Sequence, residues 1–240
     1  MKVLAIDSSG LVASVALVEE TVMLAEYTIH YKKTHSQTLL PMIREIVDMT
    51  DTNLEEIDAI AVAGGPGSFT GLRIGSATAK GLGLALDKPI ISVPTVDGLA
   101  YNFYGYEQLI CPLMDARRNQ VYTGIYTFQQ EQFIVLKEQC AVAIEEIVEQ
   151  VETIAEQENK QVLFLGDGVP VHKAYIDETL KAGHMYAAPQ QNGQRAGAVG
   201  VRAIQLAKEG KQEQAAEHKP EYLRLSQAER ERLQRQELQA

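Results

Sequence analysis

A glycine-rich segment at residues 64–75 contains the residue types that most directly suggest chemistry. It reads Gly-Gly-Pro-Gly-Ser-Phe-Thr-Gly-Leu-Arg-Ile-Gly and joins an apolar run to a long stretch of small residues. A glycine-rich turn before a helix can cradle an anion, because glycine accepts positive φ and lets a ligand approach the backbone. No Gly-Lys-Ser/Thr follows, however, and Thr70 stands where GxGxxG needs its third glycine. We therefore favour a turn and close packing over a self-sufficient phosphate site.

Two aspartates, Asp7 and Asp115, each end an apolar run. Carboxylates at strand ends can hold Mg²⁺ together with the phosphate oxygens of ATP. Asp7 precedes two serines and is equally suited to accept hydrogen bonds in a turn, and this structural role is favoured for it. Asp115 precedes Arg117 and Arg118, which could pair with it. The nucleotide-facing and the structural interpretation both stay open for Asp115.

The histidines form no recognisable metal or nucleophile pattern. Leu39 occupies the position four residues after His35, where a second ligand would share the same helix face. A pair with His30 would have to cross a strand-to-helix turn. The other three histidines are scattered, and no Gly-x-Ser-x-Gly elbow is present. We predict no catalytic residue and no metal site.

Composition is that of an ordinary globular protein. The 240 residues are 45% hydrophobic, enough to bury one large core or two small ones. The formal charge of −10 argues against a free-standing nucleic-acid binder, whose affinity comes from clustered Lys and Arg. No apolar run reaches the length of a membrane span. Because the two cysteines, Cys111 and Cys140, lie far apart, we expect free thiols and a cytoplasmic protein.

Alternating strand and helix patterns predict an α/β fold. Three short apolar runs near the N-terminus, separated by tight turns, indicate a β-meander. Later apolar runs alternate with segments of helical period, which is typical of a sheet flanked by helices. The predicted strands are residues 3–7, 11–18, 22–29, 58–63, 89–93, 109–115, 121–128, 133–138 and 162–165, and the predicted helices are residues 35–49, 70–86, 95–104, 144–157, 169–182 and 195–209.

The order of these elements repeats, which predicts two lobes. A strand that ends in aspartate is followed by a hairpin and helices near residue 3 and again near residue 109. Each lobe should be a mixed sheet with a β-meander and flanking helices. We predict a first lobe at residues 1–105, a second, reduced lobe at residues 106–220 and a polar tail at residues 221–240, whose segment 226–239 is charged and helix-prone.

The helix after the glycine-rich segment carries small residues at four-residue steps, namely Gly71, Gly75, Ala79 and Gly83. Each internal glycine costs up to ~1 kcal/mol relative to alanine, which indicates that close packing compensates. The chain's own sheet is a sufficient partner for one such face.

Five motifs together carry a family resemblance. Duplicated lobes of this kind resemble the actin, hexokinase and Hsp70-like (ASKHA) ATPase superfamily, in which aspartates at the two strand ends face nucleotide phosphates across a cleft. The closer resemblance is to the TsaB (YeaZ) family. It is carried by Ile-Asp-Ser-Ser at 6–9, Thr-His-Ser-Gln at 34–37, Gly-Pro-Gly-Ser-Phe-Thr-Gly-Leu-Arg-Ile-Gly at 65–75, Asp-Ala-Arg-Arg at 115–118 and Pro-Glu-Tyr-Leu-Arg at 220–224.

The resemblance implies a noncatalytic subunit of the bacterial machinery that makes N6-threonylcarbamoyladenosine in tRNA. In that machinery TsaB pairs with its paralogue TsaD, which carries the transfer chemistry, the ATPase TsaE joins them, and TsaC supplies threonylcarbamoyl-adenylate. We therefore expect a TsaD-type and a TsaE-type partner, tRNA contact only through the complex, and no membrane partner. ATP and metal are expected on the partner subunits, so no cofactor is assigned to this chain alone. A homodimer stays open.

The resemblance also implies a partner interface. In TsaB-like proteins the helices at residues 35–49 and 70–86 meet the equivalent helices of the partner, which predicts a four-helix contact. The residues predicted for it are His35, Leu39, Ile43, Gly71, Leu72, Gly75 and Ala79, while Asp7 and Asp115 are kept as residual nucleotide-facing positions.

Two other functions stay open. A small ATP-dependent phosphotransferase of the same superfamily would use Asp7 and Asp115 around Mg²⁺-ATP. It would also need an adenosine-binding crevice, for which the turn at residues 166–168 is the one candidate in the second lobe. A metalloprotease would need a ligand set that the sequence does not show. ATP turnover by the isolated chain tests the first alternative, and zinc retained through purification tests the second.

Overall fold

The computed structural model describes residues 1–31 and 34–224. Residues 32–33 and 225–240 lie outside the described part, and with them most of the predicted tail and the whole of its helix-prone segment. The described chain forms two α/β lobes, each built on a five-stranded mixed sheet. No helix within these residues is long and apolar enough to cross a membrane.

The first sheet contains the predicted meander. Its strands are β1 (Lys2–Asp7), β2 (Ala13–Glu19), β3 (Met23–Ile29), β4 (Ala59–Gly65) and β5 (Ile90–Pro94). β1 and β3 pair antiparallel with β2, while β4 and β5 extend the sheet in parallel on the other side of β1. The resulting order is β3-β2-β1-β4-β5.

Helices cover both faces of this sheet because its central strands are apolar on both sides. The α-helices among the described residues are α1 (His35–Met49), α2 (Phe69–Leu86), α3 (Thr95–Ala100), α4 (Ile144–Glu158), α5 (Val169–Thr179) and α6 (Ala196–Lys208). β1 and β4 are buried along nearly their whole length, as expected of strands between two layers. α1 and α2 share a hydrophobic core with one face of the sheet, and α6 packs on the other.

The second sheet repeats the first. Its strands are β6 (Leu109–Asp115), β7 (Gln120–Gln129), β8 (Gln132–Ala143), β9 (Val162–Leu165) and β10 (His184–Tyr186). β6, β7 and β8 form an antiparallel meander, and β9 and β10 add in parallel beside β6. The order β8-β7-β6-β9-β10 matches the first sheet strand for strand. This duplication confirms the two-lobed α/β fold expected from the sequence, with Asp7 and Asp115 at equivalent positions.

The boundary predicted for the second lobe, residues 106–220, is wrong in its last part. α6 packs on the first sheet, where Val199 and Ala203 share a core with Val3 and Ala5. The second lobe is therefore inserted into the first, between α3 and α6. The helical period of α6 predicted a helix but not which of two sheets its apolar side would meet.

α3 lies between the lobes. Its residues Val96 and Leu99 join Tyr126 and Phe128 of β7 in an apolar cluster, which we call the α3 cluster. The helix is shorter than the predicted residues 95–104, because the chain continues from Tyr101 to Phe103 as a 3₁₀ turn.

After α6 the chain returns along the first lobe as a strap at residues 213–224. Glu213 forms a β-bridge with Ile90 at the edge of β5. His218 is fully buried, and its Nε2 lies 2.9 Å from the Ser76 Oγ of α2. Lys80 Nζ donates to the His218 carbonyl oxygen at 3.1 Å. These contacts carry the last described residues to the junction of the two lobes.

Candidate functional site

A cleft of about 580 Å³ opens between the lobes, where β1 and β6 end. On the first lobe its wall is the turn after β1 and the glycine-rich segment before α2. On the second lobe it is the end of β6 together with Tyr122 and Asp167, and the strap closes one side with residues 221–224. The resemblance to the superfamily predicts a nucleotide at this place. The position of each predicted site residue is therefore described relative to the cleft.

Asp7 is buried beneath the cleft and does not line it. Its Oδ1 accepts hydrogen bonds from the backbone N of Ser9 at 2.9 Å and from Ser9 Oγ at 2.7 Å. Burial raises the pKa of Asp7 to about 6, although the hydrogen bonds from Ser9 oppose that shift. The carboxyl thus serves as the acceptor of a strand-end turn.

Asp115 lies on the cleft wall and is exposed. Its Oδ1 accepts from the backbone N of Arg117 at 2.8 Å, and its own backbone N donates to Asp167 Oδ1 at 3.0 Å. Burial raises the pKa of Asp167. Sequence reasoning did not name Asp167 as a site residue, and its one signal was the Gly-Asp-Gly turn at residues 166–168. The second lobe therefore presents two neighbouring carboxyl groups to the cleft.

The glycine-rich segment packs against the turn after β1. α2 begins at Phe69, and Ser68 caps it by accepting from the backbone N of Gly71 at 3.3 Å. Ser8 Oγ donates to the Gly71 carbonyl oxygen at 2.9 Å. A Cβ added at Gly71 would lie 2.0 Å from the Ser8 carbonyl oxygen, so no side chain fits there. This close approach supports the packing interpretation favoured from the sequence.

Neither arginine after Asp115 pairs with its carboxylate within the described residues. Arg117, Arg118 and Asn119 have φ of 62°, 57° and 59°, so three successive residues are left-handed and turn the chain outward. Both arginine side chains are exposed as a result. The structure links Arg117 to Asp115 through its backbone N and not through its guanidinium.

The two N-terminal histidines make separate contacts. His35 Nε2 lies 2.9 Å from the Gly10 carbonyl oxygen, and the His30 ring packs beside Gly193. Within residues 1–31 and 34–224 no group of three His, Cys, Asp or Glu side chains is placed to hold a metal ion.

The residues predicted for the partner interface lie mostly in the chain's own core. His35 is half-buried, whereas Leu39, Ile43, Gly71, Leu72, Gly75 and Ala79 are buried. The reason is that α1 and α2 both cover the first sheet, and their apolar stripes must face it. The prediction that these six residues lie on a partner-binding surface is therefore wrong, because they are buried in the chain's own core.

The outer sides of the same helices remain exposed, and we call them the outer α1/α2 face. On α2 this face carries Ala77, Gly81 and Leu84, and on α1 it carries Leu40 and Arg44, which are four residues apart. A Cβ added at Gly81 would meet nothing within 4 Å. None of these positions is among the residues predicted for the interface, because the small-residue pattern of α2 continues on its exposed side.

Comparison with protein families gives one extended match. The family model of TsaD, the tRNA N6-adenosine threonylcarbamoyltransferase, matches residues 22–232. The tRNA threonylcarbamoyladenosine biosynthesis protein TsaB of Bacillus subtilis is 36% identical over 233 residues, covering 95% of this chain and 96% of that protein. TsaB of Escherichia coli is 36% identical over 129 residues, covering 52% of this chain and 55% of that protein.

Among solved structures, a Pseudomonas aeruginosa protein described as similar to the peptidase YeaZ has the same arrangement. Its TM-score is 0.76 at 26% identity, with 93% of this chain and 99% of that chain covered. Both lobes, and not only the first, are therefore shared with that protein.

Proposed function

Because this chain belongs to the TsaB family of tRNA threonylcarbamoyladenosine biosynthesis proteins, we propose that it is a noncatalytic subunit that docks on and activates a TsaD-type transferase. A TsaE-type ATPase joins the pair and, with the transferase, brings the ATP and the metal. tRNA is reached through the complex. Because the proposed substrate of the complex is tRNA, we expect the chain to act in the cytoplasm.

The outer α1/α2 face is the observation that carries the docking proposal. Leu84 is 61% exposed and Leu40 is 57% exposed, although each belongs to a helix whose inner stripe already fills the core. Gly81 leaves open space beside Leu84, so the backbone of a partner helix can approach closely. A paralogue with the same fold would present a matching helix pair.

Two sets of contacts at the end of β1 support the noncatalytic part of the proposal. The Asp7 carboxyl is committed to Ser9 and buried, whereas a catalytic counterpart would have to reach a phosphate-bound metal ion. Gly67 and Gly71 pack against the turn after β1, so packing alone accounts for their missing side chains and no phosphate is needed to explain them.

Reconstitution tests the proposed function. Threonylcarbamoyl transfer to tRNA is measured with TsaC, TsaD and TsaE in the presence and absence of this chain, beside ATP hydrolysis by this chain alone. We expect modification to require the chain and the chain alone to hydrolyse no ATP. Modification that proceeds equally without it would refute the subunit role. ATP turnover with a small acceptor would instead favour the phosphotransferase, with Asp115 and Asp167 as its candidate carboxylates.

A further inference from the structure

The tip of the strap, residues 221–224, is bonded to both lobes. On the first lobe, the backbone N of Glu221 donates to the Gly64 carbonyl oxygen at the end of β4, at 2.7 Å. On the second lobe, Glu221 Oε2 accepts from Gln139 Nε2 at 3.0 Å, and Arg224 Nη1 donates to the Ala116 carbonyl oxygen. A four-residue stretch thus spans the mouth of the cleft.

The first lobe is shaped to receive this tip. Gly65 has φ of +130°, and a Cβ there would lie 2.1 Å from the Glu221 carbonyl oxygen, so only glycine lets the strap sit so close. The Tyr222 ring stacks on Phe69 with centroids 4.3 Å apart. Arg73 lies 4.1 Å from the Phe69 ring, and its Nε donates to Tyr222 Oη at 3.3 Å. The tip therefore rests on the first turns of α2.

The lobes are joined by two different kinds of contact. The α3 cluster is an apolar joint buried between the sheets. The tip of the strap is a polar and aromatic tie at the cleft, with Tyr222 38% exposed. If the α3 cluster were the one contact between the lobes, they could rotate about it. A second contact at a distance, made by residues 221–224, fixes the angle between them. Because the tip is held by few and partly exposed contacts, it can lift without disturbing either core.

We propose that residues 221–224 form a latch on the interlobe cleft. When seated, the latch fixes the angle between the lobes and supplies one wall of the cleft. When lifted, it lets the lobes rotate about the α3 cluster and opens the cleft to solvent. This device belongs to the chain itself and holds whether or not the outer α1/α2 face docks a transferase.

Spin-label distances across the lobes test the latch in the full chain. Labels on Asp48→Cys and Glu149→Cys report the separation of exposed sites on α1 and α4. The half-buried Cys140 is replaced by serine, and Cys111 stays unlabelled because burial raises its thiol pKa to about 12. We expect one narrow distance distribution in this background.

The double change Tyr222→Ala and Arg224→Ala should broaden that distribution and shift its mean by several ångströms. Tyr27→Ala is the matched control, since Tyr27 is 42% exposed on the far edge strand β3 and should change nothing. Circular dichroism checks that each variant is folded. A distribution that stays narrow and unmoved in the double variant overturns the latch.

A second measurement covers the case in which the double variant does not fold. The chain has no tryptophan, so Tyr222→Trp supplies a single fluorophore on the strap. In mild denaturant we expect its emission to shift to longer wavelength together with the spin-label distance, before global unfolding. A red shift with no change in the lobe distance, or no shift before global unfolding, contradicts the proposal.

Discussion

At the scale of a single residue, Asp7 makes the free energy of unfolding depend on pH. Its pKa of about 6 in the folded chain lies above the ordinary carboxyl value of 3.8, because the carboxyl is buried. Between these values the folded chain holds a proton that the unfolded chain has released. The free energy of unfolding therefore falls as pH rises from about 4 to about 6, by at most about 3 kcal/mol from this group.

Asp7→Asn should remove this slope. The amide oxygen still accepts from Ser9, but the side chain no longer ionises. We expect the fall in unfolding free energy between pH 4 and pH 6, measured by urea titration, to be smaller in the variant than in the parent. Glu149→Gln, an exposed carboxylate on α4, is the control and should leave the slope unchanged. Parallel pH profiles for Asp7→Asn and the parent would contradict the assignment.

Arg202 and Asp97 form a buried ion pair between α6 and α3. Arg202 Nε lies 3.2 Å from Asp97 Oδ2, and both side chains are less than a tenth exposed. Arg202→Met would leave the Asp97 carboxylate without its cation, which should lower the free energy of unfolding by about 3 kcal/mol or more. Lys208→Met, at the exposed end of the same helix, should cost less than about 1 kcal/mol. Chemical denaturation of both variants measures the two losses in unfolding free energy. Equal losses would contradict a special contribution from the buried ion pair.

At the scale of the element, α2 has two sides that respond oppositely to one methyl group. A Cβ at Gly71 would strike the Ser8 backbone, so Gly71→Ala should destabilise the fold by about 1–3 kcal/mol. Gly81 is open, and Gly81→Ala should stabilise by up to about 1 kcal/mol through helix propensity alone. Thermal melts of the two variants measure these changes. A Gly71→Ala variant more stable than the parent would contradict the close contact between Gly71 and Ser8.

The outer α1/α2 face gives a second prediction at this scale. Leu84→Glu should weaken binding to the TsaD-type partner by about tenfold or more, because a buried carboxylate in the interface would lack a counter-charge. Val171→Glu on α5 is matched, since Val171 is 60% exposed and Leu84 is 61% exposed. Calorimetric titration compares the two. Equal affinities of the two variants for the partner would show that the docking site does not lie on this face.

Element prediction was strongest where periodicity was long. The limits predicted for α1 are those observed, and α2 begins one residue before its prediction because Ser68, and not Phe69, is the capping residue. β10 was missed, since three residues carry no period. The buried positions of α1 and α2 were assigned to a partner because an apolar stripe does not reveal which surface covers it.

At the scale of the whole molecule, charge limits what the chain binds alone. With a net charge of −10, long-range repulsion opposes tRNA. We expect filter binding at physiological salt to detect no complex between the isolated chain and tRNA, and retention only when the transferase is added. Tight binding by the isolated chain would contradict this prediction and would show that a local cluster of basic residues outweighs the net charge.

The site itself was only partly predictable. The equivalence of Asp7 and Asp115 followed from the repeated order of elements, which local sequence reveals. The proximity of Asp167 to Asp115, and of the strap to Gly64, depends on contacts between residues far apart along the chain. The Pro-Glu-Tyr-Leu-Arg motif was recognised, but its seat on Phe69 could not be inferred without the fold.

The insertion of the second lobe between α3 and α6 has a consequence for synthesis. A ribosome releases all five strands of the first sheet long before α6, which covers one face of that sheet. The second lobe lies on one continuous stretch and can complete its core first. The apolar face of the first sheet that α6 covers therefore stays open to solvent until residues 196–208 have been synthesised.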